Sequence, residues 1–380
     1  MSDTSPSSRE VVVALDSFKG SLSAEEACRI VQETLREARP SLHVVCRPMA
    51  DGGEGTVRAL LAARKGEWIV QRVMGPWPGR IVEAGYAWFA EDQLAVVETA
   101  SAAGLTLLAP SERQPLRTTT CGVGELIRAA ADRGAARIWL AVGGSATVDG
   151  GVGAATALGW AFLDAEGRPL PLGGGALARL AAIRPPKPLR LPPLEVLYDA
   201  THRLCGPEGA ARVFGPQKGA TPEQVSQLEA GLERLAEIVR RDIGGDLRSV
   251  IGGGAAGGLA AGAVAFMNAR LRPGVEAVMQ AVNLAGALHG ADWVITGEGR
   301  LDETSLRGKV VSGVIAAARQ AGARVAILAG TVRLSPEALR AAGIESALAC
   351  AEAGVPSEQA MAEARERLAD ATRKWIADTA

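Results

Sequence analysis

Apolar residues fall along this chain in short unbroken runs, each ended by a polar, glycine-bearing loop and followed by residues of helical periodicity. The first run covers 11–15. Asp16-Ser17-Phe18-Lys19-Gly20 follows it, and 24–38 then carries a helical pattern opened by Ser23 ahead of Glu25 and Glu26. That order predicts a buried strand, a loop and a capped helix. The unit recurs at 42–48, with the loop Asp51-Gly52-Gly53-Glu54-Gly55 and a helix through 61. It recurs again at 292–296, with Gly297-Glu298-Gly299-Arg300 and a helix over 310–320. Short apolar strands at 324–328 and 345–349 each lead into a helical stretch. Strands alternating with helices predict a parallel sheet covered on both faces, with functional loops at the strand C-terminal ends.

The middle of the chain has a different rhythm. Residues 68–73, 80–89 and 94–99 read as three short strands with a turn at Gly75-Pro76-Trp77-Pro78-Gly79, an antiparallel or mixed element. A helix over 124–133, a strand over 138–142, the loop Gly143-Gly144-Ser145-Ala146-Thr147 and a small-residue helix from Gly151 come next. Prolines then precede a strand at 195–198, and 221–243 reads as an amphipathic helix. The expected organisation is a disordered tail over 1–8, a parallel α/β domain built from 9–70 and 286–380, and an inserted α/β domain over 71–285.

Composition narrows the classes of function. With 380 residues, 41 basic against 42 acidic side chains and a formal charge of −1, the chain has room for sizeable cores and no global field to recruit nucleic acid or an anionic membrane. Five scattered cysteines without a CxxC pair suggest neither a disulfide framework nor a zinc cluster, and a reducing cytoplasm is the expected location. The first ten residues lack an apolar signal region. Residues 249–269 carry no charge and are long enough to span a bilayer. Their glycines and few large apolar side chains favour a buried loop and helix instead. The 46 glycines gather in loops after apolar runs, where backbone can approach a ligand closely. Lysine is rare, and Lys19, Lys218 and Lys309 sit in glycine-flanked segments that suit a phosphate, although a merely lysine-poor surface explains them too.

Several loops offer chemistry. Asp16 and Lys19 present a carboxylate and an ammonium on one tight turn, which suits phosphoryl transfer or else an ordinary salt bridge. Asp51 and Glu54 could ligate magnesium, touch substrate hydroxyls, or only cap the next helix. The loop from Gly143 to Thr147 could cradle an anion with its N–H groups and the hydroxyls of Ser145 and Thr147, or could serve close packing alone. It lacks the spacing of a P-loop. Gly252, Gly254 and Gly257 match GxGxxG formally, but without a clear strand before them they make a poor nicotinamide fingerprint. Arg300 offers a guanidinium fork, Asp199 ends a strand, and His202 lies close by. No Ser-His-Asp set can be assembled.

These segments resemble the glycerate kinase family of the bacterial two-domain type. The matching stretches are ALDSFKGSLSA at 14–24, MADGGEGTV at 49–57, ETASAAGL at 98–105, TTTCGVGELI at 118–127, VGGSATVDGG at 142–151, LCGPEGAARVFGPQKGA at 204–220, GAAGGL at 254–259 and GADWVITGEGRLDETSLRGK at 290–309. They are collinear and cover nearly the whole chain.

The resemblance implies a flavodoxin-like domain with a second, inserted α/β domain, and transfer of the ATP γ-phosphoryl group to D-glycerate with Mg2+, giving 2-phospho-D-glycerate. Asp16, Lys19, Asp51, Glu54, Asp199 and Arg300 would then line a cleft between the domains. Within that set Arg300 is expected to fork onto the carboxylate of glycerate, Lys19 to neutralise phosphate charge, and Asp199 to take or orient the hydroxyl proton. Asp16 is expected among the catalytic groups, Asp51 as the metal ligand, and Asp51, Glu54, His202 and Glu298 as substrate contacts. Gly143, Gly144, Ser145, Thr147 and Lys218 are expected at the nucleotide. No nucleic-acid or membrane partner is expected, and monomer and homodimer both stay open. Three departures stand out: Leu15 where the family has proline, Val148 where it has asparagine, and His202-Arg203 where it has Asn-Pro. They leave two alternatives, a catalytically weak ligand-sensing relative and a kinase for another small hydroxy acid.

Overall fold

The structure, a computed structural model, describes residues 10–187, 190–199, 201–352 and 354–379; the expected tail over 1–8 lies outside the described residues. The chain divides into two compact units. The first takes the described residues up to Asp51, then 58–65 and everything described from Val275 onward; the second takes 52–57 and 66–274. These limits differ from the expected 71 and 285. The difference at the later limit comes from the helices Gly274–Ala281 and Leu284–Leu288. Gly313 of the helix Val310–Ala321 has no side chain, and a Cβ there would lie 2.6 Å from Val275 Cγ1 and 3.0 Å from Met279 Sδ, so the two helices pack through that gap within the first unit.

In the first unit five strands form one all-parallel sheet in the spatial order Ser346–Ala349, Arg324–Ala329, Trp293–Gly297, Glu10–Leu15, His43–Cys46. Counted along this unit's own chain the order is 5-4-3-1-2, the flavodoxin-like arrangement, in which ligands bind outside the strand C-terminal ends where the winding direction switches. The switch falls between Glu10–Leu15 and Trp293–Gly297, which lead directly into Asp16 and Glu298. Both strands are apolar on both faces because both faces are covered, as parallel sheets require. The helix Ala24–Ala38 starts at a reciprocal cap: Glu26 N–H donates to Ser23 Oγ (3.2 Å) and Ser23 N–H to a Glu26 carboxylate oxygen (3.0 Å). It buries Ala27, Val31 and Leu35 in a core that also holds Val11, Val13, Ile295 and Leu328, and Trp293 meets Trp375 edge-on at 5.4 Å.

The second unit is built on a six-stranded mixed sheet. Glu67–Met74, Ile81–Phe89 and Leu94–Glu98 run antiparallel; Arg137–Ala141, Leu194–Tyr198 and Arg270–Pro273 then add in parallel. The long helix Pro222–Asp242 opens at a Thr221 cap. Residues 249–269 fold as tight turns and the nine-residue helix Leu259–Met267, and among the described residues no helix is long and apolar enough to cross a membrane. No strand directly precedes Gly252, so the formal GxGxxG lacks the context a dinucleotide fingerprint needs.

Ser23→Ala removes one half of the reciprocal cap. It is expected to lower stability by about 1 kcal/mol, read as a lower urea midpoint at unchanged slope.

Candidate active site

The first unit brings Asp16, Lys19, Asp51 and Glu298 to the switch point of its sheet. Asp16 is fixed from both sides: its N–H donates to Gly297 O (3.0 Å), and one of its carboxylate oxygens accepts from Ser17 N–H (2.7 Å). Gly297 is required here, since a Cβ would collide with the Leu328 carbonyl oxygen of the adjacent strand. Asp16 is almost wholly buried. Its pKa is pushed up to about 7, first by loss of water and then by the negative charges of Asp51 and Glu298; the Ser17 N–H and the Lys19 ammonium pull the other way without overcoming them. Glu298 keeps one buried carboxylate oxygen without a hydrogen-bond partner, and Lys19 is exposed. Arg300 points outward, its Nε 3.0 Å from Asp302.

Among the described residues no group of three or more His, Cys, Asp or Glu side chains gathers as a metal centre. The repulsion between Asp16 and Asp51 is nonetheless the chemistry a divalent cation relieves, and Mg2+ in phosphoryl-transfer sites commonly takes only one or two carboxylates beside phosphate and water. The donor set therefore fits a cation carried in with a nucleotide.

The second unit collects Glu54 and the Gly143–Thr147 loop. A Cβ on Gly143 would lie 2.7 Å from Gly53 Cα and 2.8 Å from Glu54 N, so the two loops meet backbone to backbone. Gly144, at φ +64°, faces a Glu54 carboxylate oxygen. Ser145 Oγ and the Thr147 carbonyl accept from Lys218 Nζ at 2.8 and 2.7 Å. Lys218 is fully buried, and desolvation pulls its pKa down to about 7. Its place is thus beneath the loop. Thr147 Oγ1 is buried without a partner.

The expected anion cradle at the helix after this loop is filled from inside. Asp149 accepts from Gly151 N–H (3.1 Å), Gly153 N–H (3.2 Å) and Thr120 N–H (2.8 Å), and from the Thr120 hydroxyl (2.9 Å). The helix, Val152–Ala157, is only six residues long. Asp149 and Thr118–Thr120 support the loop in a role that no recognised motif announces. A threonine triplet just ahead of a helix and an aspartate just ahead of paired glycines were the available signals.

Asp199 is exposed at the end of Leu194–Tyr198. The His202 ring stacks edge-on against Phe214 at 5.2 Å. Val148 lies wholly in the apolar core of the second unit, and Leu15 in that of the first.

Comparison with known proteins gives this geometry a class. The sequence profile of the glycerate kinase family matches residues 11–379. A relative from Halalkalibacterium halodurans named glycerate kinase is 42% identical over 96% of both chains, and one from Escherichia coli named glycerate 2-kinase is 41% identical over 85% of both. A crystal structure from Salmonella typhimurium LT2, provisionally named glycerate kinase 2, matches with a TM-score of 0.84 and 40% identity over 98% of each chain. Likeness of this extent, with a flavodoxin-like unit ending in a tuned carboxyl, defines a kinase of the α/β class. The chain belongs to the glycerate kinase family.

Two pH effects of opposite sign follow from the buried groups. Folded Asp16 holds its proton to about pH 7, whereas the unfolded chain releases it near 3.8. The folded state binds the extra proton between those values, so stability falls as pH rises through that window. Asp16→Asn is expected to flatten the fall and, above pH 7, to be more stable than the parent by on the order of a few kcal/mol, measured by urea unfolding in magnesium-free buffer. For Lys218 the unfolded chain binds the extra proton between about 7 and 10.5, so stability rises with pH there. The Lys218→Met variant is expected to lack that rise when its melting temperatures are compared with the parent's from pH 6 to 10.

Proposed function

We propose that the chain transfers the γ-phosphoryl group of ATP to D-glycerate, giving 2-phospho-D-glycerate. The observation that carries this reading is Asp16, a carboxyl with a pKa near neutrality at the ligand-binding edge of a parallel sheet, in a chain of the glycerate kinase family. In the reaction a glycerate hydroxyl oxygen attacks the γ-phosphorus, the bond to the β,γ-bridging oxygen breaks, and ADP leaves. The hydroxyl proton passes to a carboxylate. A base works best with a pKa near the working pH, so Asp16 is favoured for that proton over the exposed Asp199, which is left to orient the hydroxyl. Lys19 would offset charge on the transferring oxygens, and Arg300, released from Asp302, would fork onto the carboxylate of glycerate. Mg2+ bound with the nucleotide would be held by Asp51 and would supply charge neutralisation at the phosphates. The Gly143–Thr147 loop, braced from below by Lys218, would meet those phosphates through its exposed edge at Gly144.

Incubation with magnesium-ATP and D-glycerate, followed by phosphorus NMR, is expected to show a phosphomonoester at C2. A C3 ester would overturn the regiochemistry, and no product from a folded, nucleotide-binding protein would overturn the activity. The parent's kcat should rise with pH to a plateau above about 7. Asp16→Asn is expected to lose roughly 10²- to 10⁴-fold in kcat together with that pH limb. Retention of the limb would return the base to another group.

A further inference from the structure

We propose that the outer edge of the second unit's sheet pairs with a second copy of this chain, strand to antiparallel strand, about a two-fold axis through Val70. Glu67–Met74 is the terminal strand of the sheet and pairs on one side only, with Ile81–Phe89, through an eight-residue ladder without a bulge. Edge strands of this length are normally shortened, bulged or broken by proline. None of these devices interrupts Glu67–Met74, whose charges are confined to Glu67 at its start and Arg72, the residue that the proposed pairing uses.

The hydrogen-bond pattern says which groups face outward. Gly75 N–H donates to Arg80 O across the hairpin, so odd-numbered residues of the strand pair inward and even-numbered residues turn their N–H and C=O to the open edge. Met74 is already covered there: its N–H donates to Glu125 (2.7 Å), and its carbonyl lies against Gly122. Trp68, Val70 and Arg72 are left as three consecutive outward-facing positions.

That set fixes one register. A two-fold pairing centred on Val70 sets Val70 against Val70 and Trp68 against Arg72, each pair exchanging both backbone hydrogen bonds. A centre shifted by one residue toward the C-terminus, on Gln71, keeps only the two Val70–Arg72 pairs, because its outer pair would need the N–H of Met74, which Glu125 holds. A centre shifted the other way leaves Arg72 beyond the partner strand. The side chains complement one another in the chosen register. Trp68, Val70 and Ile81 share one face of the sheet and are 43, 56 and 52% exposed, and the Trp68 ring lies over Gly85 of the neighbouring strand, flat enough to receive the Arg72 guanidinium of the other copy. A like strand related by a two-fold axis satisfies its own unpaired groups, as closed symmetric assembly requires.

Sedimentation equilibrium of the full chain over a concentration series is expected to give a mass approaching twice 39.1 kDa. Val70→Lys places two ammonium groups opposite one another and should return the mass to that of the monomer, with an unchanged circular dichroism spectrum. Val70→Cys should cross-link to a covalent dimer under mild oxidation while the parent, with its native cysteines, does not. Paired Cα atoms in that position lie about 5.5 Å apart, within disulfide reach. A parent chain that stays monomeric overturns the proposal, whether or not the edge accepts an added peptide strand. A dimer that survives Val70→Lys, or a Val70→Cys chain that fails to cross-link, overturns it as well.

Discussion

A carboxyl held where ionisation is costly is the constraint around which the first unit is arranged. Asp16 sits at the end of a strand whose neighbours on both sides are parallel, and its backbone is tied to Gly297 of the adjacent strand. The same sheet order that buries it also brings Glu298 beside it, and the loop after His43–Cys46 adds Asp51. Moving any one of these strand ends outward would rehydrate Asp16 and let its pKa fall toward that of a free carboxylate. Gly297 keeps the ends tight, because any side chain there would push Leu328, and with it the next strand, away.

The second unit solves a related problem by satisfying charge internally. Asp149 gathers backbone and hydroxyl donors from two loops, and Lys218 spends its ammonium on Ser145 and Thr147. Both are fully buried, and in each case burial disfavours the charged form. A loop braced in this way presents Gly144 at its surface with little freedom to rearrange, which suits positioning rather than proton transfer.

Much of this was legible in the sequence, for reasons that differ by element. The Glu10–Leu15 strand and its loop stand out because a doubly covered parallel strand has to be apolar throughout, and the cap at Ser23 is a local hydrogen-bond pattern written in adjacent residues. The hairpin over 67–89 declares itself through its glycine and proline turn. What could not be read depends on distant partners. The close approach of the helix Gly274–Ala281 to Val310–Ala321 depends on the missing side chain at Gly313, and the capture of helix N–H groups by Asp149 depends on how Thr120 is brought to it. The raised pKa of Asp16 needs burial first and then the charges of Asp51 and Glu298, from two other segments that carry no mark of it.

The order in which the segments leave the ribosome has its own consequence. Glu10–Leu15 and His43–Cys46 are synthesised first, yet the central partner of their sheet, Trp293–Gly297, is made only after the whole of the other unit. The earlier pair must therefore wait, apolar on both faces, while the intervening residues complete a core of their own. Delayed pairing of that kind makes folding slow and exposes nascent strands to mispairing.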